Sequence, residues 1–442
     1  MAGSPGTDEV AGLRFDSFAP GYDDAGTAAD TRTANWFEAV KLGFHEQRAD
    51  SKALPGLVDG YLRDRRLLTA VYDDAAPEFA WDAAVPVATY ATMVNSLNVG
   101  SGRLLPAHLV TAVTVRPTHR RRGVLRAMMT RDLRRAKDAG LALAGLTASE
   151  ATIYGRFGFG AATSAAETRV DSRGGLEFTA PPAGSIAVAD TGKLLSLAPE
   201  IYRAHLTRTF GALGRQHGYW MRASGAWSEE TSEPDKALRG VIRYNGDGIP
   251  DGYATYKSLG WQTDPHTVKI TDLVAASDEA YRELWRYLGS IDLVERLTFD
   301  VAPVADPLPW MLADRRRYSV TSVEDVLWLR ILDTRAALEA RHYSGSGTLF
   351  LTVRDPLGMA DGVWQLDAHG GTGAVRPAEG GSVPAGAEAI DIDVAALGSL
   401  YLGGVSAPTL AAAGGIRGSR SALDLADALF TAGPAPYCST MF

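Results

Sequence analysis

The sequence predicts an α/β chain with mixed sheets, divided into three parts. Three observations carry that reading: its length, an alternation of strand-like and helical stretches, and one strand, basic loop, helix, strand unit near residue 120. At 442 residues the chain exceeds what one hydrophobic core supports. With 46% apolar and 22% charged residues it has ample material for several cores and no call for long disorder.

Residues 1–30 are polar and Gly/Asp-rich and read as frayed, until Asn35-Trp36-Phe37 opens an amphipathic helix running toward Glu46. Val87–Val94 and Leu109–Val115, rich in β-branched and apolar residues, read as strands on either side of the turn formers Asn98, Gly100 and Gly102. From Gly123 the period changes: Leu125, Met128, Met129, Leu133 and Ala136 recur at helical spacing, and Gly140 supplies a stop. Leu141–Leu146 reads as a buried strand, followed by the turn that carries Tyr154. The Gly/Pro segment from Gly174 to Gly184 marks a first boundary, giving a domain over residues 1–180. Residues 181–326 alternate again, with a strand at Val268–Val274 and a helix at Glu279–Leu288, but without a matching basic loop. The third part, 327–442, starts at Leu327-Trp328-Leu329-Arg330 and reads as helix, strands and helix. Its strands fall at Thr348–Val353 and Ala389–Ile392, and Asp393 and Ser421 are the expected helix caps. Pro434 and Pro436 forbid a regular helix, so the last residues should travel as an extended strap.

Composition excludes several functions. A net charge of −8 argues against a nucleic-acid binder. The single cysteine, Cys438, allows neither an intramolecular disulfide nor a multi-cysteine zinc site and fits a reducing cytoplasm. Met1–Val10 is polar and acidic, unlike a signal peptide, and no apolar run is long enough to span a bilayer. The histidines lack metal-ligand spacing, so no metal is expected, and His119 reads as shaping its loop. Gly155, Gly158 and Gly160 lack a dinucleotide-binding context.

The segment Val113-Thr114-Val115-Arg116-Pro117-Thr118-His119-Arg120-Arg121-Arg122-Gly123-Val124-Leu125 is the most informative. A strand ends, a basic turn with one glycine follows, and a helix begins, so backbone N–H groups converge where the helix dipole is positive. That arrangement suits a pyrophosphate. Cations at a helix start oppose the dipole unless an anion compensates, which sets this reading against a merely solvated basic turn.

These residues resemble the coenzyme A loop of the GNAT acyltransferases, Arg/Gln-x-x-Gly-x-Gly/Ala, with Leu125 in place of the small last residue. The longer run through Arg126-Ala127-Met128, together with Ala148-Ser149-Glu150-Ala151-Thr152-Ile153-Tyr154-Gly155-Arg156-Phe157-Gly158, is similar to the enhanced intracellular survival (Eis) family of N-acetyltransferases. The resemblance implies a catalytic GNAT domain, a degenerate GNAT-like domain and a sterol-carrier-like domain. It also implies acetyl-CoA as cofactor, amines of aminoglycosides or lysine side chains as acceptors, and a hexamer.

By the same resemblance Val113, Val115, Arg120, Arg121, Gly123 and Ser149 hold the cofactor, the strand bearing Val113 and Val115 being splayed by a bulge. Tyr154 is the general acid, a phenol protonated at neutral pH. The alternative for Tyr154 is packing beside Phe157 and Phe159. The C-terminal carboxylate, on Phe442, enters the first domain's site, against the ordinary expectation of a disordered tail. Trp36, Phe44 and Glu46 are expected on the acceptor side, although the two aromatics equally fit a core and Glu46 a solvated helix end. Cys438 lacks a nearby histidine and is not expected to be a nucleophile. Two other functions remain open: a lipid or sterol carrier, and an acyl-CoA-binding regulator without turnover.

Overall fold

The computed structural model describes residues 10–75, 77–228, 233–431 and 433–442. The segment Met1–Val10, read above as no signal peptide, lies outside them except for Val10.

The first of three sheets runs in the order Arg14–Phe18, Leu67–Tyr72, Ala88–Asn98, Leu104–Val115, Leu143–Thr147, Leu327–Ile331, Gly160–Ala161. Leu104–Val115 and Leu143–Thr147 are parallel, joined through the helix Val124–Asp138, a βαβ unit where the change of period predicts one. The helices Thr31–Gly43 and Leu54–Arg63 complete the N-terminal part. Arg14–Phe18 corrects the expectation of a frayed start: it pairs antiparallel with Leu68–Tyr72, and Phe18 is buried.

The second sheet takes Tyr318–Asp325, Ser164–Asp171, Arg296–Pro303, Thr267–Ala275, Pro250–Ser258, Arg239–Tyr244 and Ser185–Ala189 in that order. It repeats the first sheet's arrangement, since Thr267–Ala275 is parallel to Arg296–Pro303 through the helix Asp278–Leu288. The third sheet orders Thr372–Pro377, Gly362–His369, Gly347–Arg354, Ala389–Asp393 and Ile416–Gly418. Asp393 caps the helix Val394–Leu400 as expected, whereas the last helix, Arg420–Phe430, is capped by Ser419 and not by Ser421.

The expected boundaries at 180 and 326 cut through interlocked sheets. Ser164–Asp171, ahead of the first, belongs to the second sheet, and Leu327–Ile331, past the second, belongs to the first. Residues 327–331 are a strand where a helix was expected. A short apolar run suits either element until its partners are known, and here it is sandwiched between Leu143–Thr147 and Gly160–Ala161. Its Leu327, Leu329 and Ile331 join one continuous core with Leu109 and Leu143 of the first sheet and Leu349, Leu351 and Ile390 of the third. Buried Arg330 meets Asp355, so the third domain is fused to the first through apolar contact and an enclosed ion pair. Among the described residues no helix is long and apolar enough to cross a membrane.

Candidate active site

The bulged strand provides the first part of the site. Leu104–Val115 shifts register against Ala88–Asn98 between Thr89 and Ala91, and Ala112 takes a positive φ of 51°. An extra residue therefore bends the strand, as the resemblance implies. Thr89 secures the bend: its Oγ1 donates to the Ala112 carbonyl at 2.9 Å and lies 2.7 Å from Thr114 Oγ1. Pairing with Leu143–Thr147 ends at Val110–Leu146. Beyond that point the two parallel strands part, and Val113 and Val115 stand on the diverging stretch.

The basic loop follows. Gly123 is the N-cap of Val124–Asp138 with φ +83°, a conformation that disfavours any side chain, and no side chain caps the helix. A Cβ on Gly123 would meet nothing within 4 Å, so the loop faces open space. The first-turn N–H groups, which lack intrahelical acceptors, remain available to an anion. His119 shapes the loop, its Nε2 lying 3.0 Å from Asp73 and its Nδ1 2.9 Å from Thr118 Oγ1. The same carboxylate is 3.7 Å from Arg122, and the His119 hydrogen bond, foremost, holds Asp73 below the usual carboxylate range. Arg120 and Arg121 make no ion pair among the described residues; Arg120 Nε reaches only the Val115 carbonyl, at 3.4 Å. Leu125, the large residue in the motif, packs partly buried against the first domain's core. This donor set fits a diphosphate on the loop.

Tyr154 ends the short helix Ala151–Tyr154, its ring edge-on to Phe159 with centroids 6.3 Å apart. Burial pushes its phenol above the ordinary value, partly offset by a hydrogen bond with Ser149. It thus packs as the alternative reading has it, in one core cluster with Phe157 and Phe159.

The tail is docked. Tyr437 donates from its backbone to Phe210 O at 2.8 Å and from its hydroxyl to Val301 O at 2.6 Å. Gly211, at φ +81°, lets the strap close in, since a Cβ there would sit 2.8 Å from Pro436. Thr440 is fully buried and donates to Leu213 O at 3.2 Å. At the end, Thr147 Oγ1 donates to a carboxylate oxygen of Phe442 at 3.0 Å. Thr147 closes the strand that parts from the bulged one, so the terminal carboxylate lies where the two diverge. Cys438 is buried, and burial pushes its thiol up to about 11, which suits a packing residue and not a nucleophile.

The acceptor-side expectation is corrected for Trp36. That residue is 0% exposed, donates from Nε1 to Thr69 O at 2.9 Å and packs edge-on against Phe37 and Tyr61. The helix turns it into the core, so it cannot reach a ligand. Phe44, in contrast, is 44% exposed at the helix C-cap, and Glu46 is exposed and paired with Lys41. Both follow Gly43, where a Cβ would strike Thr114 at 2.4 Å, so the helix end abuts the bulged strand.

Acetyltransferase (GNAT) domain models match residues 26–162 and 211–331, and a sterol carrier protein domain model matches 334–439. An uncharacterized N-acetyltransferase of Streptomyces griseus is 36% identical over 95% of this chain and 99% of its own. The N-acetyltransferase Eis of Mycobacterium tuberculosis is 37% identical over 74% of this chain and 78% of its own. The chain belongs to the Eis family of GNAT N-acetyltransferases. The crystal structure of Eis1 from Mycobacterium abscessus superimposes with a TM-score of 0.75 at 30% identity, covering 92% of this chain and 96% of that one. A GCN5-related N-acetyltransferase from Anabaena variabilis, 19% identical, shares the fold at a TM-score of 0.77 over 97% of this chain and 100% of its own. GNAT domains of this kind use acetyl-CoA.

In this Eis-family chain the second GNAT domain lacks the means to repeat the first one's anion site. Its parallel pair also parts, after Ile270–Phe299, but only Ala276-Ser277 lead into the helix. Ser277 caps that helix at Ala280 N, and Asp278 and Glu279 make its first turn acidic. An anion there would meet repulsion and one fewer free donor. Sequence reasoning missed Thr89, Asp73 and Thr147. Each acts through a partner distant in the sequence, and only the Thr147 hydroxyl, on an otherwise apolar strand, gave any hint.

Proposed function

We propose that this chain transfers acetyl from acetyl-CoA to primary amines, those of aminoglycoside-like polyamines or of lysine side chains. Arg120, Arg121 and the helix start after Gly123 hold the pyrophosphate, while Val113 and Val115 offer strand backbone to the pantetheine arm and Ser149 borders the acyl end. Acetyl-CoA, when bound, supplies the acetyl group as a thioester.

The remaining chemistry belongs to the chain. Tyr154, kept protonated by burial, delivers its hydroxyl proton to the departing sulfur. The carboxylate of Phe442 takes the proton that the amine must lose. Phe44 and Glu46 present an apolar face and a negative charge to a cationic acceptor. The observation that carries this reading is the hydrogen bond from Thr147 Oγ1 to the Phe442 carboxylate, since it brings the last residue to the strand end from which Ser149 and Tyr154 follow. The continuous core joining the first and third domains favours a scaffold that anchors the tail over a lipid carrier.

A thiol-release assay with acetyl-CoA against polyamines, aminoglycosides and lysine peptides tests it. Amine-dependent release is expected. Coenzyme A binding without release for any amine would favour the regulator, and stoichiometric sterol or fatty acid in an extract of the purified protein would favour the carrier.

A further inference from the structure

The tail's last anchor before its carboxylate comes from the second GNAT domain. Gln216, only 4% exposed, donates from Nε2 to the Met441 carbonyl at 2.7 Å. It is the N-cap residue of the helix His217–Ala223, yet its side chain makes no capping bond and serves the tail instead. Beside it, Arg215 forms a buried pair with Asp272, at 2.7 and 2.8 Å, and reaches Ser439 Oγ at 3.4 Å. Tyr219 donates to Ser439 O at 3.2 Å. The tail therefore stays docked through residues 437–440 whatever happens at Gln216. Met441 is 46% exposed, and besides Gln216 the terminal dipeptide has Thr147 as its side-chain donor.

We propose that Gln216 is a positioning residue for acetyl transfer: by fixing the Met441 carbonyl it sets where the Phe442 carboxylate stands. The second domain, whose corresponding helix start is acidic and carries no basic loop, thereby contributes to catalysis in the first. This rests on the reading that the terminal carboxylate takes the amine's proton.

The test compares Gln216→Met in the full chain and in the full chain carrying one glycine after Phe442. In the native background kcat should fall about tenfold while acetyl-CoA affinity changes less than twofold. In the extended background, already slow, the substitution should cost nothing further, because the carboxylate it positions has been displaced. An equal fold-loss in both backgrounds, or an unchanged native kcat, overturns the role of Gln216 while leaving the base in place. An extended chain at full turnover overturns the base and the role together. Should Gln216→Met fold poorly, Gln216→Asn, which withdraws the donor by one methylene, should give a smaller loss with the same dependence on background. Background-independent loss there overturns the proposal equally.

Discussion

Thr147 and Phe442, 295 positions apart, meet through a hydrogen bond of 3.0 Å from the threonine hydroxyl to the terminal carboxylate. One end of this contact is the last residue of a first-domain strand, and the other is held by a strap bonded to Phe210, Leu213 and Val301. Adding one glycine after Phe442 moves the carboxylate by about 3.5 Å. We expect kcat to fall on the order of a hundredfold, with acetyl-CoA affinity kept. Steady-state turnover against a polyamine measures this, and full activity would remove the carboxylate from the mechanism.

Tyr154→Phe keeps the ring contact with Phe159 and deletes the proton. Turnover should drop about 10² to 10³-fold with little change in coenzyme A binding or melting temperature. Because burial raises the phenol above its ordinary value of 10.0, the acid stays protonated through neutral and mildly alkaline pH. The wild-type kcat profile should therefore show no loss from this group until the pH exceeds the usual phenol range. A parallel loss of turnover and coenzyme A affinity in the variant would assign Tyr154 a packing role only.

Arg120 and Arg121 are the two loop arginines without an ion pair among the described residues, whereas Arg122 approaches Asp73 at 3.7 Å. Each charge-assisted bond to a phosphate contributes about 1.5 to 3 kcal/mol, so Arg120→Ala and Arg121→Ala should each weaken coenzyme A binding roughly ten- to a hundredfold. Arg122→Ala should weaken it less. Calorimetric titration separates the three, and equal losses would contradict the division of labour.

The strand, basic loop and helix were legible because local chemistry dictates them. Apolar spacing from Leu125 to Ala136 makes the helix, and Gly123 makes the turn at φ +83°. The strap was legible through Pro434 and Pro436, and its docking through the apolar Tyr437, Met441 and Phe442, although Met441 itself stands exposed. What escaped the sequence depends on distant partners. Leu327–Ile331 reads as either element until Leu143–Thr147 lies beside it. Trp36 sits on an amphipathic helix whose inward face is decided by Phe37, Tyr61 and the Thr69 carbonyl. Gln216 offers no pattern at all; only the fold brings its amide to Met441.

Stability should also be sensitive to acid through His205. This imidazole is 9% exposed, lies 3.1 Å from the Ala275 carbonyl through Nδ1, and packs beside Tyr202, which bonds Thr440 of the tail. Burial, foremost, pushes it down from 6.5 to about 4; the Arg215 and Arg208 charges act in the same direction, against the Ala275 bond and Asp272. Between those two values the unfolded chain binds a proton that the folded chain refuses, so stability rises with pH there. The contribution is complete above about pH 6.5 and is lost as the pH falls toward 4, on the order of 3 kcal/mol across the window. His205→Asn retains a donor for Ala275 without the titration. Its melting temperature should fall less than that of the wild type between pH 6.5 and pH 4, the span of the shift. Identical slopes for the two proteins would assign the acid sensitivity to other groups.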